Sequence, residues 1–372
     1  MPYKHLLHFV FNKELSEIYI TSIIRSFAFA LIAVFIPAYL LKLGYPLNAV
    51  FSFYLYVAIS YIIFVFLVIK IYTKIGLKHA MFISMPIFVV YFLLLYSLET
   101  YNWSLILVAS VSSLATALYW SAFHIDFIRS SDRKHRGEEL GMMNVFSYIA
   151  IIFAPLIGGL IISFLGFKVL FGFAALLLLI APIPLFFTKD VYPPIKFSFR
   201  HVFHKESLKN FSVFFVEGII GYTETVIWAI FIFLILKSFL SLGLLTTLLV
   251  LFTTFMTFIL GRLSDVVNKR SIMKIGVFSS SVIWFLKTMA SSFLHFTILN
   301  SLFGIAFTFI SLPYMALFYN KAAKQHPAEF VIFRELSLTL GRVMILLFVI
   351  LSGSFIGSFI IAGFSSLVFI LF

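Results

Sequence analysis

The sequence contains no cysteine, which excludes disulfides, Cys-ligated metal and thiol catalysis. Charge is scarce as well: Asp, Glu, Lys and Arg make up 11% of the residues, where soluble domains carry roughly a quarter. No G-x-x-x-x-G-K-S/T stretch is present, so ATP hydrolysis would need a separate subunit. There is no H-E-x-x-H or similar His pairing, and no polar segment is long enough to fold as a soluble catalytic domain. No enzyme activity, cofactor or metal is therefore expected.

The space is filled by apolar sequence. Hydrophobic residues make up 62% and the mean hydropathy is +1.12. Runs of about twenty apolar residues, enough to cross a bilayer as a helix, recur along the whole chain. A transmembrane barrel would instead show alternating segments of about ten. The spacing predicts an all-α membrane protein with helices over 18–41, 47–69, 80–98, 103–127, 140–164 and 167–187. A second set follows over 211–236, 240–260, 272–290, 296–320, 331–352 and 355–371. That makes twelve spans in two sets of six. The longest polar stretch lies between the sets, contains Pro193-Pro194 and reads as a linker. The expected organisation is an N-terminal half over 1–187, a linker over 188–210 and a C-terminal half over 211–372.

The amino terminus, MPYKHLLHFVFNKELSE, has too short an apolar core for a removable signal, so the first helix is expected to be an ordinary span. The net charge of +13 does not point to nucleic acid, because the cations lie in every second hairpin rather than in one domain. They fall at Lys4 and Lys13, Lys70 to Lys78, Arg129 to Arg136, the linker, Arg262 to Lys274, and Lys321 to Arg334. The other side holds only Lys42, Lys168, Lys237 and Lys287. By the positive-inside rule both termini are expected in the cytoplasm of a multi-pass protein of the plasma membrane.

The hairpin GRLSDVVNKR, from Gly261 to Arg270, is a short polar break between two of these spans. Gly261 admits close helix approach, Asp265 can cap a helix N-terminus or meet a cation, and Lys269 and Arg270 suit anionic lipid heads. The halves also repeat internally. Phe27 to Lys42 aligns with Tyr222 to Lys237, and IYTKIGLK is the first-half counterpart of the hairpin, with Gly76 and Lys78 retained and Thr73 in place of the acid. Gly261, Leu263, Asp265, Lys269 and Arg270 match the loop signature G-x-L-a-D-r-x-G-r-k, with Val266 and Asn268 departing from it. On these residues the chain resembles a twelve-helix transporter of the major facilitator superfamily. The resemblance implies the two-half fold, a small solute carried by alternating access, a midplane site between the halves and a monomer in the lipid bilayer. A second likeness is Phe153 to Gly159, FAPLIGG, which resembles the G-P-x-x-G-G motif in the fifth helix of the family's antiporters and would imply export. Physically, Pro155 kinks the helix and Gly158 and Gly159 admit a neighbour. Both readings stay open on the residues alone.

Charges inside a bilayer are tolerated only for a reason. Arg25 lies in the first span, Glu217 and Glu224 lie i, i+7 on one face of the seventh, and Glu335, Thr339 and Arg342 form a stripe on the eleventh. The fourth span adds Trp120 and His124 at i, i+4, and Asp126 nearer its basic end. The resemblance implies that Arg25 and Glu224 face the central cavity and that Arg342 reaches it from the side. Glu224 is expected to carry the coupling proton, with Arg25 or Arg342 as its partner and Glu217 relaying to water; Asp126 and Glu335 are the next candidates. Trp120 can stack on a flat solute. The gating contact is expected at Gly261, Asp265, Lys269 and Arg270 with the hairpin around Arg133, and at Gly76 and Lys78. Proton-coupled transport is the reading carried forward; an uncoupled facilitator and a non-transporting sensor or scaffold are the alternatives.

Overall fold

The computed structural model describes residues 13–131, 145–190, 207–263, 269–324 and 326–372, which form helices and short connections. Helices follow from the apolar runs, because hydrocarbon offers the backbone no hydrogen bonds and each span must satisfy its own. The first span is Lys13–Ile32, tightens to a 3-10 turn at Ala33–Phe35 and resumes as Ile36–Lys42, with Pro37 in the opening turn. Leu47–Ile75, Leu77–Ser97 and Leu105–Ser130 are the second to fourth. Ala154–Ile180 holds the fifth and sixth, divided at Gly166, whose φ of 83° breaks the helical path. The seventh is Ser207–Tyr222 and Ala229–Leu236, joined by a π-helical stretch at Thr223–Trp228. Phe239–Leu263, Lys269–Lys287, Phe293–Lys324, Pro327–Ser352 and Phe355–Leu367 complete the set of twelve.

Several helices run a turn or more past the apolar stretches at the end rich in Lys and Arg, here termed the basic end. The second continues to Ile75 and the tenth to Lys324. Leaving the hydrocarbon does not stop a helix; a residue that cannot stay helical does. Gly76 does so after the second span, with φ 87° and ψ 163°.

The packing repeats with a shift of six. The first span lies on the fifth, the second on the fourth, and the third on the fourth; likewise the seventh lies on the eleventh, the eighth on the tenth, and the ninth on the tenth. The two halves meet where the fifth span packs on the eighth and the second on the eleventh. Away from the basic end this seam is closed by rings. Phe239 meets Phe35 at 6.5 Å and Phe167 at 5.2 Å between centroids, and Phe51 meets Phe355 at 5.9 Å. Large apolar side chains such as Phe164 and Leu351 remain exposed on the outer surface, as lipid contact requires.

Glycine sets how closely the seventh and eleventh spans lie. A Cβ on Gly218 of the seventh span would strike the Leu338 carbonyl of the eleventh, and one on Gly341 would strike the Phe215 carbonyl in return. Neither obstacle is a flexible side-chain end, so the helices themselves would have to part. Gly218→Val is therefore expected to cost about 1–3 kcal/mol, read as a lower melting temperature and folded yield of the purified protein. Gly172→Ala, at a site with open space around its Cβ, serves as the control; equal behaviour of the two variants would contradict this packing.

Candidate functional site

A cavity of about 270 Å³ lies between the halves on the basic-end side. Its walls come from the first, fourth and fifth spans of one half, with Ser22, Trp120, His124 and Tyr148, and from the eighth and tenth of the other, with Thr257 and Tyr319. The lining is hydroxyl, aromatic and apolar. Trp120 and His124, paired by their i, i+4 spacing, both line it and stack with ring centroids 5.5 Å apart. His124 Nδ1 lies 2.8 Å from the Tyr319 hydroxyl across the seam.

Behind His124 lies a buried charge cluster. Glu335 Oε2 accepts a hydrogen bond of 2.7 Å from the Tyr61 hydroxyl, Oε1 accepts one of 2.8 Å from Arg334, and His124 Nε2 lies 3.9 Å from Oε1. Arg334 also pairs with Glu217, which accepts from the Tyr314 hydroxyl. Tyr61 and His124 belong to the second and fourth spans, and the other members to the seventh, tenth and eleventh. Glu335 is thus held from both halves at once. Two carboxylates share a single guanidinium here, and hydrogen bonds to the tyrosines offset part of the remaining desolvation.

Arg334 counts as a surface cation when the hairpin is read by sequence, yet it is buried. The eleventh span starts at Pro327 rather than near 331, which places Arg334 two turns inside the helix and facing Glu217. The one available signal was the adjacency of Arg334 and Glu335 at the start of an apolar run.

Glu224 does not pair with Arg25 or Arg342, as the sequence had suggested. Its partner is Lys287, the last residue of the ninth span, whose side chain is fully buried. Lys287 is not the outer-surface cation that the charge pattern implied: its ammonium sits over Trp228, Trp284 and Phe303 at 4.5, 4.2 and 4.1 Å from the ring centroids. The π-helical stretch begins one residue before Glu224, and π-turns in α-helices commonly mark functional or strained positions. Glu217 and Glu224, though i, i+7, share no partner: one joins the cluster at Arg334 and the other the ninth span.

The two cations expected inside the spans, Arg25 and Arg342, form no ion pair among the described residues. Arg25 is buried behind the cavity wall, with its guanidinium carbon 3.8 Å from the Tyr119 centroid, 4.4 Å from Phe29, 5.1 Å from Trp120 and 5.2 Å from Phe88. Arg342 is half-buried over Tyr222 at 4.9 Å. Neither lines the cavity. Thr339, placed between Glu335 and Arg342 in the predicted stripe, bonds back to the Glu335 carbonyl at 2.6 Å. Asp126 is buried two residues beyond His124 and is not part of the lining either.

At the basic end, Asp265 and residues 133–139 lie outside the described residues; Gly261 falls in the last turn of the eighth helix, Lys269 opens the ninth, and Arg270 is exposed. The first-half hairpin is described. Its carboxylate comes from Asp190, just after the sixth span, which accepts from the backbone N–H groups of Lys78 and His79 at 3.0 Å each and so caps the third span. A Cβ on Gly76 would collide with that carboxylate. Lys78 is buried against Glu17, at 2.7 Å, and Thr188. The acid replaced by Thr73 in the sequence pattern is thus supplied from elsewhere in the same half.

In the fifth span the helix is interrupted at 152–153 and restarts at Ala154 with Pro155 in its first turn. A Cβ on Gly158 would strike the Leu31 carbonyl, and one on Gly159 would lie 3.0 Å from the Phe239 carbonyl oxygen. Across the seam, the Leu156 N–H donates to Thr247 Oγ1 at 3.1 Å. These residues serve close packing between the first, fifth and eighth spans.

Twelve helices in two repeated sets, closed at one end and enclosing a small cavity at the seam, define a multi-pass membrane protein of transporter architecture. The chain belongs to the major facilitator superfamily, whose family profile matches residues 18–240. It is 24% identical over 264 residues to the uncharacterized protein YqgE of Bacillus subtilis (strain 168), covering 67% of this chain and 61% of that protein. The chain therefore spans less than two thirds of that relative. Its fold is similar to the crystal structure of the human organic anion transporter MFSD10 (TETRAN), with a TM-score of 0.71 and 12% identity over 97% of this chain and 99% of the other. It is also similar to the E. coli fucose:proton symporter FucP, with a TM-score of 0.67 and 13% identity over 96% of each chain. At these identities the likeness concerns the fold.

Proposed function

We propose that the chain is a secondary transporter that carries a small solute by alternating access, driven by protons exchanged at Glu335. The observation that carries this reading is the setting of Glu335, whose hydrogen-bond partners come from both halves. Rocking of one half against the other must break the Tyr61 contact, and a carboxylate that loses a charge-assisted donor in one state gains reason to take a proton there. Glu224 and Lys287 lie in the same half and move together, so the pair is unchanged by rocking. The cavity volume supports a small solute, and one fold neighbour is named for proton symport. Enclosure of the cavity within one chain supports a functional monomer.

Thermal-shift screening of purified protein against a metabolite library, followed by flux of the hits in proteoliposomes, tests the reading. Flux indifferent to a pH gradient would remove the coupling, and ligands bound but never moved under any gradient would leave a sensor or scaffold.

The halves are assigned to residues 1–187 and 211–372 with a linker at 188–210, and the basic end to the cytoplasmic face of the plasma membrane, on the distribution of Lys and Arg. Reporter tags at the carboxyl end and within 191–206 are expected to give cytoplasmic signals. An external signal from either tag would overturn the assignment.

A further inference from the structure

Arg25 is a buried cation with little to hold it among the described residues. A guanidinium carries five N–H donors, yet Arg25 makes no ion pair or hydrogen bond with the described residues, and its Nε is buried without a partner. Rings cover it instead, with Tyr119 and Phe29 closest. Ring faces satisfy the charge in part but accept little along the donor edges. Burying such a group without an anion is costly, and an inward-pointing charge of this kind in a span marks a solute or ion pathway.

The cation lies next to the cavity. Tyr119 and Trp120 form its cavity-side wall, and Ser22 and Ser26, three residues before and one after Arg25, line the same space. The Tyr119 hydroxyl is held at 3.0 Å from Ser22 Oγ, so a solute that displaced the Tyr119 ring would meet the guanidinium with two hydroxyl donors beside it. The sign differs one turn further along the fourth span, at His124. Beyond His124 and Tyr319 lie Glu335 and Glu217, but these carboxylates already have Arg334, Tyr61 and Tyr314 as partners. The cavity surroundings are therefore polarised, with an unsatisfied cation behind Tyr119 and Trp120 and satisfied acids behind His124 and Tyr319. Between them, Trp120, Phe123, Ile151, Leu312 and Met315 present apolar surface.

Resting on the transport reading above, we infer that the solute is a small organic monoanion, carboxylate or sulfonate, whose charged head is taken by Arg25 with Ser22 and Tyr119, and whose apolar body lies against Trp120. The volume of about 270 Å³ is at the lower limit of ligand sites, which restricts the body to about one ring or a short branched chain. The acids beyond His124 orient the anion with its head away from them.

Titration of the purified full-length protein in nanodiscs, followed by intrinsic Trp fluorescence and thermal shift, tests this. The probes are benzoate, cyclohexanecarboxylate and isobutyrate, each beside its neutral amide, with benzylamine as the cation. At least one anion is expected to bind ten-fold or more tightly than its amide. Arg25→Gln removes that difference and Arg25→Lys restores part of it. If Arg25→Gln does not fold, the wild-type preference and its weakening in Tyr119→Phe decide. No saturable anion response, equal affinity of anion and amide, or tightest binding by benzylamine would each overturn the inference. The two readings fail separately. Arg25-dependent binding of an anion that is never moved in proteoliposomes removes transport and leaves the anion site. Proton-driven flux of a neutral amide, unchanged in Arg25→Gln, removes the anion site and leaves transport.

Discussion

Glu335→Gln is expected to abolish accumulation of solute driven by a pH gradient while leaving exchange of solute down its own gradient. The amide keeps the size of the side chain, and its single oxygen can still accept from Arg334 while its NH2 group donates to the Tyr61 oxygen, but it cannot take up and release a proton. The ion pair to Arg334 lies within one half, whereas the Tyr61 contact crosses the seam. A hydrogen bond to a charged group contributes about 1.5–3 kcal/mol, so forming it in only one gating state shifts the balance of states by about ten- to a hundred-fold. Tyr61→Phe is accordingly expected to bias the equilibrium without removing coupling, and its accumulation should survive at a reduced rate. Accumulation by Glu335→Gln at the wild-type level would show that the proton is carried elsewhere, with Asp126 the next buried carboxylate to test.

The course of the chain through the membrane was legible because the bilayer imposes one rule on every span. Apolar length alone placed all twelve helices, including the division between the fifth and sixth that the structure makes at Gly166. Helix ends were less legible, since they depend on Gly76 or Pro327 rather than on where polarity begins. The six-helix repeat could be seen in the aligned first and seventh spans, and the structure repeats it in how the helices pair.

Partners within the site were much less legible. A sequence shows which charges lie in a span, not which face a distant helix turns toward them. Trp120 and His124 share a wall because i, i+4 spacing on one helix is a local property. The pairing of Glu224 with Lys287 is not local: it depends on a π-turn and on the ninth helix ending beside Trp228. Lys287, Arg334 and Lys78 all stood at the edges of apolar runs, where a cation reads equally as a topology signal or a buried partner. Each is buried because a carboxylate on another helix meets it: Glu224, Glu217 and Glu17 respectively.

The strongest stability effect is expected at the Glu224–Lys287 pair. Removing one member leaves the other charged and buried, which costs about 3–5 kcal/mol, whereas replacing both by apolar groups of similar size is often neutral or stabilising. Lys287→Met is therefore expected to lose most folded protein from the membrane, because Glu224 is left within the seventh span without its cation. Glu224→Met alone should be similarly damaging through the stranded ammonium, although the rings of Trp228, Trp284 and Phe303 hold part of that charge and make this the milder of the two. The double variant, Glu224→Met with Lys287→Met, is expected to recover folded yield and thermal stability. It should also keep accumulation driven by a pH gradient, since both residues sit in one half and the pair need not break as the halves rock. Folded yield by fluorescence-detected size exclusion, beside flux in proteoliposomes, separates the roles. A double variant that folds at the wild-type level but no longer accumulates solute would move the coupling proton from Glu335 to Glu224 and make Lys287 the cation that releases it.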